Sequence, residues 1–234
     1  MSDNDRFDDL TIGDRLAERD RTHPEPSRRP EVPRAGNKYA WLVGFLMLMV
    51  LGVLLFVQTL PNRGEGLEGP SKGSRLKAFA APSALGDVVG DANICQRKPC
   101  PDQAGGRPAC SLISEEVVNL CQLREKPLVL TVIFDRGADC YPQVDRTERI
   151  RRDFKDVNFA TLFFTGKERG EIRGLVEARG WRQPVGIDRD GAVANLYGVG
   201  GCPTTIFARA GGEVVDTKLG NLTEDDLRRR AAAL

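Results

Sequence analysis

The segment Ala138-Asp139-Cys140-Tyr141-Pro142-Gln143 decides how this chain of 234 residues folds. It follows Leu128–Phe134, a nearly continuous apolar run rich in β-branched residues, which predicts a central strand buried on both faces. Sixty-two positions after Cys140, the chain has Gly201-Cys202-Pro203-Thr204-Thr205. Each motif contains a cysteine and a proline: Pro142 lies two positions after Cys140, and Pro203 directly follows Cys202.

The chain after Asn119 alternates between strand and helix patterns. It predicts a helix over Val144–Phe154, a strand over Val157–Phe164, a helix over Arg169–Arg179, strands over Thr204–Ala208 and Glu213–Thr217, and a final helix from Thr223. Gly211-Gly212 is a hairpin turn signal, and Asp226 completes a capping box with Thr223. This order predicts an α/β domain with a mixed central sheet flanked by helices.

The N-terminal quarter of the chain predicts three further segments. Residues 1–38 are rich in charge and proline, which favours a disordered tail. Residues 39–60 predict a single transmembrane helix, because Ala40–Val57 carries no charge over eighteen positions. A cleaved signal peptide is disfavoured, because the charged region before the apolar run is unusually long and no Ala-x-Ala site follows the run. A buried core helix is disfavoured, because this run is apolar on every face. Residues 61–79 predict a flexible tether.

Orientation across a bacterial cytoplasmic membrane is predicted from two features. Four basic residues closely precede the apolar run and three follow it, and this difference favours a cytoplasmic N-terminus. All six cysteines follow the run, which favours an oxidising compartment for the C-terminal part. A formal net charge of +1 argues against nucleic acid as a partner.

Residues 80–234 contain enough chain for one domain, with a polar insertion at about 91–115. Four cysteines, Cys95, Cys100, Cys110 and Cys121, lie in or near this insertion. Their spacing lacks the close pairs of zinc ribbons, so two structural disulfides are favoured over a zinc site. Of the three possible pairings, Cys95–Cys100 with Cys110–Cys121 is the favoured one.

The order of elements and the two proline motifs resemble the thioredoxin-like superfamily, and more narrowly its membrane-tethered bacterial thioredoxins and redoxins (thiol-specific antioxidant proteins). The resemblance covers about residues 80–234, and residues 123–130, 184–191, 196–199 and 202–207 carry it. It implies a thioredoxin-like fold and a cis peptide bond before Pro203, in a turn that brings residue 202 next to Cys140. It implies no cofactor.

Three residues depart from the family's pattern. Gln143 stands where the resolving cysteine of a Cys-x-x-Cys motif is usual, and Cys202 stands where thioredoxins usually carry Thr or Val before the cis-proline. Asp139 replaces an aromatic residue, and its carboxylate disfavours a thiolate on Cys140. The helix that is predicted to begin beside Cys140 favours that thiolate.

These departures leave three interpretations open. Cys140 and Cys202 form a reversible disulfide, with Cys140 as nucleophile, Cys202 as resolving cysteine and Pro203 shaping the substrate groove. Alternatively, they form a permanent disulfide in a redox-inert binding module, or Cys140 acts as a monothiol. The first predicts an extracytoplasmic thiol–disulfide oxidoreductase that acts on the thiols and disulfides of other proteins.

Two other functions are disfavoured by the sequence. A peroxiredoxin-like peroxidase would carry Thr three residues before its cysteine, where this chain has Gly137, although Arg136 is close by. Copper delivery would need a second cysteine and a histidine at the site, and the single histidine is His23. Asp188 and Asp190 are interpreted as turn residues rather than metal ligands.

Overall fold

A computed structural model of the chain describes residues 39–59, 67–135 and 139–234, together with positions 13, 17 and 21. The chain divides into two units, residues 1–60 and residues 61–234. Apart from those three positions, the segment 1–38, predicted to be a disordered tail, lies outside the described residues.

The first unit contains helix α1, Ala40–Thr59. The side chains described along it are those of residues 41–53, and they are exposed. Among the described residues, no helix combines the length and the apolar character needed to cross a membrane.

The second unit is built on a five-stranded mixed sheet with the strand order β5-β4-β3-β6-β7. The strands are β3 (Leu128–Phe134), β4 (Asn158–Phe164), β5 (Val185–Asp188), β6 (Thr204–Ala208) and β7 (Val214–Leu219). β4 is parallel to both β3 and β5, while β6 is antiparallel to both β3 and β7. The predicted mixed sheet with a β-hairpin half is confirmed.

Helices flank this sheet. They are α2 (Leu120–Leu123), α3 (Tyr141–Ile150), α4 (Arg169–Arg179), α5 (Ala192–Leu196) and α6 (Glu224–Ala231). The predicted helix over Val144–Phe154 begins three residues earlier, at Tyr141, and a short 3-10 helix, Arg151–Asp153, replaces its last turn. α6 begins after Thr223, whose hydroxyl accepts a hydrogen bond from the amide of Asp226, as the capping pattern predicts.

The central strand β3 is buried on both faces, as its apolar run predicts. Leu130 and Val132 pack into a cluster with Leu162 and Ile206, whereas Ile133 packs into a separate cluster on the helix α3 side. Because a strand points successive side chains to opposite faces, β3 joins the two layers of the core.

The packed domain begins before residue 80, the predicted boundary. Leu76 and Phe79 are buried in the core, and β-bridges join Glu68 to Val199 and Arg75 to Glu213. Leu76 and Phe79 therefore pack in the core of the domain, in one cluster with Val214 of β7. The remainder of the predicted tether, residues 61–66, lies outside the described residues.

A small second sheet precedes the central one. β1 (Ala80–Pro82) pairs antiparallel with β2 (Val117–Asn119), and the polar insertion lies between these two strands. Neither strand is predicted from the sequence, because three residues are too short for an alternating pattern to be visible.

Candidate functional site

Neighbouring strands bring the two cysteine motifs together. β3 and β6 run antiparallel, with Val132 opposite Thr204, so the loop after β3 and the loop before β6 leave the sheet at one edge. Cys140 and Cys202 lie in these loops with their Cα atoms 6.0 Å apart, and their sulfurs form a disulfide.

Cys140 is the N-cap residue of helix α3, and Pro142 lies in the first turn of that helix. The first backbone amides of a helix lack partners within it, and the helix dipole is positive at this end, so a negative charge on the Cys140 sulfur is stabilised there. Cys140 is only 1% exposed and lies in a buried cluster that includes Ile133, Val144 and Phe163. Its exposed neighbour Asp139 brings a negative charge that opposes this stabilisation.

Cys202 is less buried than Cys140 and packs at the border of the same cluster. Its sulfur accepts a hydrogen bond from the backbone amide of Phe134, at 3.1 Å. The peptide bond between Cys202 and Pro203 is cis, as the resemblance implies. The hydroxyl of Thr204 donates to the carbonyl of Gly201 at 2.8 Å and closes the turn around this bond.

Gln143 is a fully buried structural amide at the position of the missing cysteine. It is 0% exposed, and its side-chain oxygen accepts a hydrogen bond from the amide of Leu222 at 2.9 Å. Its side-chain nitrogen donates to the hydroxyl of Thr205 at 3.4 Å. Gln143 therefore joins α3 to β6 and to the segment that leads into α6.

A polar cluster adjoins the disulfide at the ends of β3 and β4. The hydroxyl of Tyr141 donates to Asp135 at 2.6 Å, and the hydroxyl of Thr165 donates to the other oxygen at 3.2 Å. The ammonium group of Lys167 lies 2.8 Å from that second oxygen. These contacts fasten the first residue of α3 to the ends of two strands.

The charges of this cluster depend on one another. Burial disfavours the Asp135 carboxylate, but hydrogen bonds from Lys167 and Tyr141 outweigh it and hold the pKa of Asp135 below its ordinary value. The hydrogen bond to Asp135 raises the pKa of Lys167. Burial, and then the hydrogen bond to the Asp135 carboxylate, raise the pKa of Tyr141. Asp135 and Lys167 are therefore an ion pair at neutral pH, and Tyr141 is a neutral donor.

An arginine stacked on two rings supports the other side of Tyr141. The guanidinium carbon of Arg179 lies 5.1 Å from the ring centre of Tyr141 and 5.8 Å from that of Trp181. Arg179 and the indole nitrogen of Trp181 each donate to Asp145 at 2.7 Å. The sequence contains no signal for this group, because its members come from α3 and from the end of α4.

Asp188 is a buried carboxyl group rather than only a turn residue. It is 0% exposed, and its oxygens accept hydrogen bonds from the amides of Val193 and Ala194 at 3.2 and 2.8 Å. Burial raises its pKa to about 6, against the effect of these two hydrogen bonds. Asp190 accepts from the amide of Ala192 at 3.1 Å, which is the predicted turn contact. Asp188 thus holds α5 at the end of β5.

The other four cysteines form disulfides between Cys95 and Cys100 and between Cys110 and Cys121, the pairing that the sequence favours. The second bond ties the insertion to helix α2. Among the described residues, no three acidic, cysteine or histidine side chains are grouped in a way that would hold a metal ion.

The peroxidase alternative depends on Arg136 and Gly137, and both lie outside the described residues.

Comparisons with known proteins identify the fold. No family model matches the sequence, and no curated protein matches it. Among solved structures, the chain is similar to a Chlorobium tepidum protein provisionally named thiol:disulfide interchange protein DsbE, with 17% identity and a TM-score of 0.53 over 70% of this chain and 97% of that one. An uncharacterised conserved protein from Geobacillus kaustophilus has 15% identity and a TM-score of 0.51, over 70% and 82% of the two chains. A DsbF homologue from Corynebacterium diphtheriae has 13% identity and a TM-score of 0.50, over 71% and 91%.

These similarities agree with the strand order, with the helix that begins beside Cys140 and with the cis peptide bond before Pro203. The domain therefore has the thioredoxin-like fold.

Proposed function

We propose that this chain is a thiol–disulfide oxidoreductase of thioredoxin-like type that acts on protein thiols and disulfides outside the bacterial cytoplasm. The observation that carries the proposal is the Cys140–Cys202 disulfide, at the start of a helix and beside a cis-proline turn. A helix start stabilises a thiolate, and thiolates are the reactive species in disulfide exchange. The provisional name of the Chlorobium tepidum protein supports this chemistry.

In the oxidising direction, a partner protein with two thiols would become a disulfide while the Cys140–Cys202 pair becomes two thiols. Two electrons and two protons pass from the partner to the pair, and no cofactor is needed. In the reducing direction, the same steps run backwards. Cys202, across the site from Cys140, supplies the second sulfur that Gln143 cannot supply.

The membrane anchor and the location are part of the same proposal, and their support is the sequence. Residues 40–57 carry no charge, and all six cysteines follow them. A cytoplasmic N-terminus then places residues 61–234 in the oxidising compartment, where disulfides persist. The bilayer is thus a proposed partner through residues 40–60.

The test is reduction of the full chain in detergent, in glutathione buffers of stepwise increasing reducing strength. Free thiols are trapped by alkylation and located in tryptic peptides. Residues 137–146 and 190–209 form separate peptides that contain only Cys140 and only Cys202, respectively. We expect this pair to open under milder conditions than the Cys95–Cys100 and Cys110–Cys121 bonds, because exchangeable disulfides have higher reduction potentials than structural ones. A pair that opens together with the structural bonds would contradict the proposal.

The burial of Cys140 favours a second candidate function. Because that sulfur lies within the core cluster, this candidate is a redox-inert module with a permanent structural disulfide, which binds partners through the cis-proline face. This candidate predicts that the pair resists every buffer that leaves the domain folded. The same titration therefore decides between the two functions.

A further inference from the structure

We propose that Cys202 is the sulfur that bonds to the partner protein, and that Cys140 is the leaving and resolving sulfur. This inference rests on the proposed exchange function. It reverses the order that the sequence resemblance assigns, in which Cys140 attacks and Cys202 resolves.

The first argument is access to the two cysteines. Exchange requires that an incoming sulfur reach one sulfur of the disulfide. Cys140 is 1% exposed and belongs to a buried cluster that includes Ile133, Val144 and Phe163. Cys202 is only partly buried and lies at the border of that cluster. A partner therefore meets Cys202 first, unless helix α3 moves.

The second argument is the stability of the sulfur that leaves. A disulfide breaks faster when the departing thiol has the lower pKa. Attack on Cys202 expels Cys140, which lies at the N-cap of a ten-residue helix where a negative charge is stabilised. Asp139 opposes this effect, but its side chain is exposed, so water screens its charge. Attack on Cys140 would instead expel Cys202, whose sulfur has the single backbone donor of Phe134 rather than the start of a helix.

The steps balance as follows. A partner thiolate attacks the Cys202 sulfur; a bond between the partner sulfur and Cys202 forms, and the Cys140–Cys202 bond breaks, releasing Cys140 as a thiolate. The second thiolate of the partner then attacks the partner sulfur of this mixed disulfide and releases Cys202 as a thiolate. The partner has lost two electrons, and the two thiolates of the pair take up protons from water. In the reverse direction, Cys202 attacks a partner disulfide and Cys140 resolves the product.

The test uses the oxidised full chain in detergent, with reduced glutathione as the attacking thiol. Samples are quenched with acid at short times, the remaining thiols are alkylated, and the tryptic peptides 137–146 and 190–209 are weighed. We expect glutathione on Cys202 and the alkylating agent on Cys140, in about tenfold or greater excess over the opposite arrangement. A smaller excess, or the opposite arrangement, overturns the inference while leaving exchange intact. If neither peptide carries glutathione and the pair stays closed, the proposed function itself fails.

Matched variants give a second measurement from the reduced protein. Cys140→Ala keeps only Cys202 of the pair, and Cys202→Ala keeps only Cys140. With oxidised glutathione, we expect Cys140→Ala to form its mixed disulfide about tenfold faster or more. Equal rates, or a faster Cys202→Ala, overturn the inference. Circular dichroism establishes that both variants are folded, and the wild-type experiment decides if either is not.

Discussion

Replacing Gln143 by Ala should destabilise the domain without removing either cysteine of the pair. In the wild type, the Gln143 amide is fully buried and satisfies the backbone amide of Leu222, while also bonding the hydroxyl of Thr205. Alanine leaves that amide without its acceptor and leaves a cavity between α3 and β6. The variant therefore tests whether residue 143 is a structural joint rather than a vacant catalytic position.

The expected loss is the sum of two effects. A partly buried amide that loses its acceptor costs about 1–2 kcal/mol, and the cavity left by four side-chain atoms costs about 1 kcal/mol. The bond to Thr205 is long, at 3.4 Å, and adds little. A total of about 2–3 kcal/mol lowers the melting temperature of a domain of this size by about 4–12 °C.

Urea denaturation followed by circular dichroism measures this loss, with two control variants. Gln143→Met keeps the side-chain length but not the hydrogen bonds, so it should recover the cavity part and still lose about 1 kcal/mol or more. Arg146→Ala removes a surface contact with Gln143 and Asn221 and should cost less than about 1 kcal/mol. A loss below about 1 kcal/mol in Gln143→Ala would refute the structural role.

Three further predictions concern carboxylates near the site. The folded-state pKa of Asp188, about 6, lies above its ordinary value of 3.8, so its protonated form stabilises the domain at low pH and this contribution is lost as pH rises through 6. In urea denaturation, the free energy of unfolding of Asp188→Asn should therefore rise relative to that of the wild type by up to about 3 kcal/mol between pH 4 and pH 7. A difference independent of pH would contradict this. The folded-state pKa of Asp135 is lowered, so its carboxylate stabilises the folded domain above pH 3.8, and this stabilisation is lost as the pH falls. Asp135→Asn should be less stable than the wild type at pH 7, by a margin that shrinks toward zero in acid, and a margin that persists in acid would count against the ion pair. Asp139→Asn removes a negative charge beside Cys140, so the reduced pair should be favoured and its reduction potential in glutathione buffers should rise; an unchanged or lower potential would show that Asp139 does not act on the pair.

The elements predicted correctly from the sequence are those whose local pattern is strong. Leu128–Phe134 is a nearly continuous apolar run, and the apolar residues of Arg169–Arg179 recur at helical spacing. Thr204–Ala208 ends just before the double glycine of the hairpin, where Gly211 and Gly212 both have positive φ. In these segments, local preference and tertiary packing favour the same conformation.

Strand β5 could not be predicted because its packing, rather than its composition, determines its conformation. It contains only four residues, and one of them is Gly186. A Cβ atom at that position would lie 3.2 Å from both Ala81 and Leu162, so the glycine allows β1 to approach the sheet closely. Glycine disfavours a strand in isolation, and the reason for its presence lies on a distant part of the chain.

The site residues that could be predicted from the sequence are the cysteines and the proline of the two motifs. The residues whose role depends on burial could not be predicted. Cys140, Cys202 and Pro203 come from the two motifs, and the structure places them together. Gln143 was recognised as an absent cysteine, but its role as a buried joint depends on contacts with residues more than sixty positions away. Asp188 has the pattern of a turn residue, and its burial is set by α5 folding over it.

The Cys140–Cys202 bond also links redox chemistry to chain entropy. It closes a loop of 62 residues that contains α3, β4, α4, β5 and α5. In the chain-entropy account, closing such a loop stabilises the folded state by about 4 kcal/mol. The same free energy makes the pair harder to reduce in the folded chain than in the unfolded chain, by about 90 mV. A readily exchangeable pair therefore requires that the reduced fold stabilise its own thiolates, through the start of α3 and the Phe134 amide, by a comparable amount.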